Sequence, residues 1–200
     1  MFIINYQLAL SESELARLTY EEFKEDYGED LLGLIHFSFN KQEYGYYSED
    51  ATIHEFNFFE EWIISWFQML NEALILLKKE GHAAIKTIEE PDNWIVIKNS
   101  NENVFIDFVL ATDRVPKEFV TPVPLCSIYH AGWENEVINK AQFFSEIKTK
   151  TDDLIQKIER LNSNLAESSL NFQRLKKAYL LAHSSFKKQA YFIVVSDCST

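Results

Sequence analysis

Cysteine, proline and glycine are scarce in this chain of 200 residues, which holds two, four and five of them. Two cysteines as far apart as Cys126 and Cys198 make no disulfide framework, and both are expected to be free thiols. So few glycines and prolines exclude a fold of many tight turns. No apolar stretch reaches the roughly 20 residues of a membrane span. The greasiest segment, 62–77, is interrupted by Ser65, Gln68, Asn71 and Glu72 and reads as a buried helix. The opening Met1-Phe2-Ile3-Ile4-Asn5-Tyr6-Gln7 has no basic flank and no small-residue cleavage site, so no secretory signal is expected and the chain reads as cytoplasmic. Also missing are a glycine-rich phosphate loop, a basic stripe interleaved with aromatics for nucleic acid, and a pair of histidines one helical turn apart for zinc. No cofactor and no metal is therefore expected.

What is abundant is aromatic and acidic. Sixteen Phe, nine Tyr and four Trp imply a core of large rings, each burying on the order of 150–250 Å², and 46% hydrophobic with 25% charged residues is a globular composition. The charge is lopsided. The first 61 residues carry fourteen acids against three bases (Arg17, Lys24, Lys41), net −11 of the formal −12; residues 62–139 carry −5, and residues 140–200 carry +4. Such polarity repels nucleic acid and anionic lipid and attracts a basic partner.

Periodicity places the elements. Residues 2–8 read as a strand, and Ser11 with Glu14, then Thr19 with Glu22, form capping-box patterns that predict short helices across 11–27, stopped near Gly28. Ile35, Phe37 and Phe39 alternate with His36, Ser38 and Asn40 as in a half-buried strand, with a partner at 44–47 or 52–56. Phe59, Trp62, Ile63, Trp66, Phe67, Leu70, Leu74 and Leu77 follow helical spacing, which predicts a central helix over 58–80 ended by Gly81. Strands at 83–88, 94–98 and 104–110, joined by short polar turns, predict antiparallel pairing. The middle of the last two is apolar on both faces, so both are covered or one face is a binding surface. Pro116, Pro122 and Pro124 mark 112–133 as a connecting loop. Residues 134–182 read as helical, with an a/d stripe from Phe144 through Ile147, Thr151, Leu154, Ile158, Leu161 and Leu165 to Phe172, Leu175 and Tyr179. The tail, 183–200, has high β propensity at 190–195. The expected whole is a single α+β domain over 1–200: an antiparallel sheet of about five strands on the central helix (1–111), the loop, and C-terminal helices.

Several residue groups carry potential chemistry. Cys126 and His130 are the minimal pair for an activated nucleophile, but no oxyanion-hole glycines adjoin them, and catalysis is not expected. His36 reads as an exposed strand position. Asp107 shares a pleat face with Phe105 and Val109, and a buried carboxylate there calls for a partner such as Lys98 or Lys86. The acid pairs, Glu21-Glu22, Glu25-Asp26, Glu29-Asp30, Glu49-Asp50, Glu60-Glu61 and Glu89-Glu90, read as a solvated face or a partner-binding one.

The run Phe58-Phe59-Glu60-Glu61-Trp62-Ile63-Ile64-Ser65-Trp66-Phe67, with Gly81, Glu89-Glu90-Pro91-Asp92-Asn93-Trp94 and the hairpin to Leu110, resembles small acidic bacterial immunity proteins that neutralise polymorphic or contact-delivered toxins. The resemblance covers about residues 30–110 and rests on arrangement. It implies binding to a basic toxin surface with carboxylates and aromatic rings, and not an enzyme. The expected contact patch is Glu43, Tyr44, Tyr46, Tyr47, Glu49 and Asp50, where tyrosines interleave with carboxylates. Two alternatives stand beside it: a small hydrolase using Cys126 and His130 or a metal held by clustered acids, and an adaptor that forms a homodimer through residues 144–179.

Overall fold

The computed structural model describes residues 1–51, 56, 58–88, 90, 92–111, 116–125, 128–130 and 132–184. Its first helices start where side chains satisfy their free backbone donors. Ser11 accepts from the Glu14 amide while the Glu14 carboxylate accepts from the Ser11 amide, and Thr19 and Glu22 do the same; these boxes open α1 (Glu12–Leu15) and α2 (Tyr20–Tyr27). Gly28, left-handed at φ 61°, closes α2, and Glu29 continues left-handed at φ 61°.

β1 (Phe2–Leu8) pairs antiparallel with β2 (Leu32–Phe39), which also pairs with β3 (Gln42–Gly45) and the two-residue β4 (Glu61–Trp62). Ile35, Phe37 and Phe39 are buried, as the alternation requires. The outer edge of β1 is blunted by a helix, where Gln142 accepts from the Phe2 amide at 2.9 Å and Glu146 from the Ile4 amide at 3.0 Å. Gly33 allows a close crossing: a methyl group there would run into the Gln7 carbonyl and Ile63 Cγ1.

The central helix, α3 (Ile63–Glu80), ends at left-handed Gly81 as expected but starts five residues later than the periodicity implies. Glu61 and Trp62 are instead held in strand pairing by Gly33 and Leu32. Trp62 occupies the N-cap and offers no capping oxygen. Asp30 supplies it from the other side of the chain. One carboxylate oxygen accepts from the Ile64 amide (2.8 Å) and the Leu31 amide (2.7 Å); the other accepts from the Ser65 amide (3.0 Å) and hydroxyl (2.6 Å). Burial pushes the Asp30 carboxyl up to about 6 against the opposing pull of these four donors, so at neutral pH the capping group is an anion at a helix N-terminus.

A second antiparallel sheet holds β5 (His82–Lys86), β6 (Asn93–Ser100) and β7 (Asn103–Ala111), with β8 (Val120–Thr121) on β5 and β9 (Ile128–His130) and β10 (Glu136–Asn139) on β7. The α+β class and antiparallel pairing stand. Among the described residues the strands divide into sheets of four and six instead of forming one of about five. Two short edge strands come from the proline-containing segment read as loop, because β5 and β7 have open edges to pair. β10 precedes the helices α4 (Lys140–Leu161), α5 (Ser163–Ser168) and α6 (Leu170–His183), each opened by an Asn or Ser cap.

α3 packs on β5, α4 and α6. Rings join the layers: Phe2 on Phe143 at 4.6 Å, Phe37 edge-on to Trp66 at 5.2 Å, and Phe39 on Trp133 at 5.0 Å. Ile147, Thr151, Leu154, Ile158, Leu165, Phe172 and Leu175 are buried, so the a/d stripe faces the chain's own core. Within it Asn71 donates to Thr151 Oγ1 (2.9 Å) and the Phe67 carbonyl (2.8 Å) and meets His183 Nε2 at 3.1 Å. Burial, with Lys78 and Lys148 nearby, pushes the His183 imidazole down to about 4 against the weaker pull of Asp152.

Asp30→Ala strands two helix amides and is expected to cost about 2–4 kcal/mol in urea-unfolding free energy, whereas loss of an ordinary surface carboxylate would leave stability within about 0.5 kcal/mol. The pH dependences oppose each other. Asp30, raised from about 3.9, contributes stability below that value and loses it as pH rises towards 6; His183, depressed from about 6.5, contributes stability above 6.5 and loses it as pH falls towards 4. His183→Gln is therefore expected to make stability fall as pH rises from 4 to 6, and Asp30→Asn to make it rise, each read from urea midpoints across that range.

Candidate functional site

The early carboxylates divide by job. Of the fourteen in the first 61 residues, nine are exposed (Glu12, Glu14, Glu21, Glu22, Glu25, Asp26, Glu43, Glu49 and Asp50), Glu29 and Glu60 are half-buried, Asp30 and Glu61 are buried, and Glu55 lies outside the described residues. Hydrogen bonds from Ser11 and Thr19 hold Glu14 and Glu22 below the usual carboxylate range. Glu12 meets C-terminal cations, Arg160 at 3.3 Å and Lys157 at 4.0 Å.

Two acid pairs read as surface are structural in whole or part. The Glu29 side chain accepts from the Tyr20 hydroxyl (2.9 Å) and the Leu170 amide (3.1 Å) at the start of α6, while Asp30 caps α3. Glu61 accepts from Trp66 Nε1 at 2.8 Å. Tertiary contacts recruit these oxygens, and no local pattern marks them.

The six expected contact residues are spread over one region with different exposures. Glu43, in β3, is exposed and 3.8 Å from His36. His36, expected to be exposed, retains 16% side-chain exposure. Tyr44 is half-buried, its ring among Phe37 (6.0 Å), Trp66 (5.5 Å) and Phe108 (5.7 Å), which ties it to the core. Tyr46 stacks on Phe59 at 4.5 Å, and Glu49 and Asp50 stand exposed in the following turn. Tyr47 lines a polar cleft of about 380 Å³ between β1 and α4 with Tyr6, Gln7, Lys150, Asp153 and Lys157. There Tyr6 donates to Asp153 at 2.7 Å, and burial with that carboxylate raises the phenol's pKa.

The largest surprise is apolar. Phe58, Phe59, Trp62 and Phe119 are 71%, 49%, 49% and 49% exposed. Periodicity assigns Phe59 and Trp62 to the helix's apolar surface. The late start of α3 leaves both before it, and only the distant pairing of Trp62 with Leu32 could have revealed that. Trp62, Met69, Ile88, Phe119 and Val120 line a groove of about 330 Å³ together with Ser65, Gln68, Glu72 and Glu118.

The other candidates resolve separately. Asp107 is 3% exposed and bound by Lys98 Nζ (3.1 Å), as expected, and by the Asn135 amide (2.7 Å). Its pleat face also carries a small buried cluster, Ala84, Trp94, Val96, Val109 and Ala111, with Leu125 packed against it. Cys126, the His54-Glu55 pair, Glu89, Pro91, most of the candidate strand 52–56 and residues 185–200 lie outside the described residues; His130 stands in β9 opposite Val109. Among the described residues no group of three or more His, Cys, Asp or Glu is placed to hold a metal, and no helix is long and apolar enough to cross a membrane. Comparison with known proteins finds no matching family model, no matching curated protein and no matching solved structure.

Proposed function

We propose that the chain is a protein-binding module, an immunity-type protein that neutralises a toxin by covering a basic surface. The observation that carries this reading is that exposed carboxylates at Glu43, Glu49 and Asp50 are followed in sequence by exposed rings at Phe58, Phe59 and Trp62, with Tyr46 of the acidic stretch stacked on Phe59. A one-signed field accelerates encounter with a cationic protein, and partly exposed rings provide the desolvated area that slows dissociation. The same field disfavours nucleic acid and anionic membrane. Binding needs no nucleophile or cofactor. The rigid part of the site is supplied by β2 and α3, which fix the segments on either side of it.

Glu43, Glu49 and Asp50 are exposed, so reversing them tests charge without disturbing the core. The test is co-purification of the chain with products of adjacent reading frames. Reversal of all three to Lys is expected to slow association with the captured basic protein at least about tenfold and to abolish protection of cells producing it, whereas Cys126→Ala leaves both intact. Capture indifferent to the reversal and to salt between about 0.05 and 0.5 M would contradict the reading.

A further inference from the structure

We infer that the groove between α3 and the β8 segment receives an apolar side chain of the partner that is flanked by lysine or arginine. This deepens, and rests on, the reading of the chain as a binder of basic proteins. The groove is built on structured elements: Met69, 5% exposed, forms part of its base from α3, Val120 belongs to β8, and the half-exposed rings of Trp62 and Phe119 contribute to its walls. A volume of about 330 Å³ accommodates one large side chain with part of its backbone. Two carboxylates, Glu72 and Glu118, line it, and among the described residues no lysine, arginine or histidine does. Glu72 accepts from Gln68 Nε2 at 2.8 Å, which orders one carboxylate on the α3 side.

Charge and shape therefore select the same ligand. An apolar side chain entering the groove covers exposed area of its lining rings, and cationic neighbours meet the glutamates. An anionic segment would meet uncompensated repulsion at both. The acidic first two thirds of a second copy supply no such segment; its C-terminal third, net +4 with Leu180 and Leu181 exposed near Lys176 and Lys177, does, and a concentration-dependent dimer is the outcome that would report it.

Trp62 provides the readout. Trp66 and Trp94 are 0% exposed and Trp133 9%, so solvent-sensitive tryptophan emission belongs to Trp62. The probe is a synthetic peptide with a leucine-phenylalanine pair between two lysine pairs. Its controls replace the apolar pair by serines or the lysines by glutamates. A saturable blue shift is expected with the first peptide, with affinity at least about tenfold above either control. Phe119→Ala is expected to weaken binding about tenfold, and Glu72→Lys with Glu118→Lys to invert the preference between lysine and glutamate peptides. Because these three residues lie at the surface or are half-exposed, unchanged thermal melting shows that each variant is folded; Gln68→Trp, which occludes the groove, gives a second route to the same loss.

No shift with the lysine peptide, an unaltered affinity in Phe119→Ala, or a concentration-dependent dimer that quenches the shift would overturn the inference. The two readings fail separately. If the captured basic protein binds groove variants normally but not the Glu43, Glu49 and Asp50 reversal, the groove is wrong and the acidic-surface reading stands; the converse pattern upholds the groove and removes the role of the early acids.

Discussion

The Asp30 carboxylate joins three parts of the molecule that are distant in sequence. It follows the left-handed pair Gly28 and Glu29, precedes β2, and accepts the amides that begin α3, the helix against which β5, α4 and α6 pack. A non-glycine residue at φ 61° costs on the order of 1 kcal/mol, and the contacts of Glu29 offset it. Its side chain receives the Leu170 amide and its carbonyl receives Asn171 Nδ2, so one tight turn caps α3 with one acid and anchors α6 with the next. Leu31 then accepts from the Ile63 amide, and the register of β4 on β2 is set.

That register decides what reaches the surface. With Glu61 and Trp62 pinned to Gly33 and Leu32, the helix cannot extend back to residue 58, and the rings that would have faced the core stay half in solvent. The Glu61 side chain turns inward to Trp66, whereas Glu43, Glu49 and Asp50 face water. How one helix starts thus leaves Trp62 to line an apolar groove, while the acidic stretch 43–50 lies ahead of it in sequence. The proposed binding of a basic protein draws on both, the charges for approach and the rings for retention.

Local chemistry made much of the fold legible. The two capping boxes, Gly28, Gly81 and the alternation through β2 all appear where the sequence indicates, because each depends on neighbours within a few residues. The β5–β6–β7 meander follows from short polar turns, with left-handed Asn101 between the last two strands. The division into two sheets, the edge strands β8, β9 and β10, and the work of Glu29 and Asp30 depend on contacts far along the chain, for which one sequence offers no periodicity. Of the candidate site, exposure of Glu43, Glu49 and Asp50 was readable from composition. The inward turn of Tyr44 was not, since a tyrosine between polar residues looks the same whether its ring packs on Trp66 or stands in water.

Native-state amide hydrogen exchange at Ile64 and Ser65 tests the junction most directly. If Asp30 holds the start of α3, these amides exchange only through global unfolding in the native chain, and in Asp30→Ala they exchange by local opening while amides deep in α3 keep their protection. Rapid exchange at Ile64 and Ser65 in the native chain, or protection that Asp30→Ala leaves unchanged, would contradict the account.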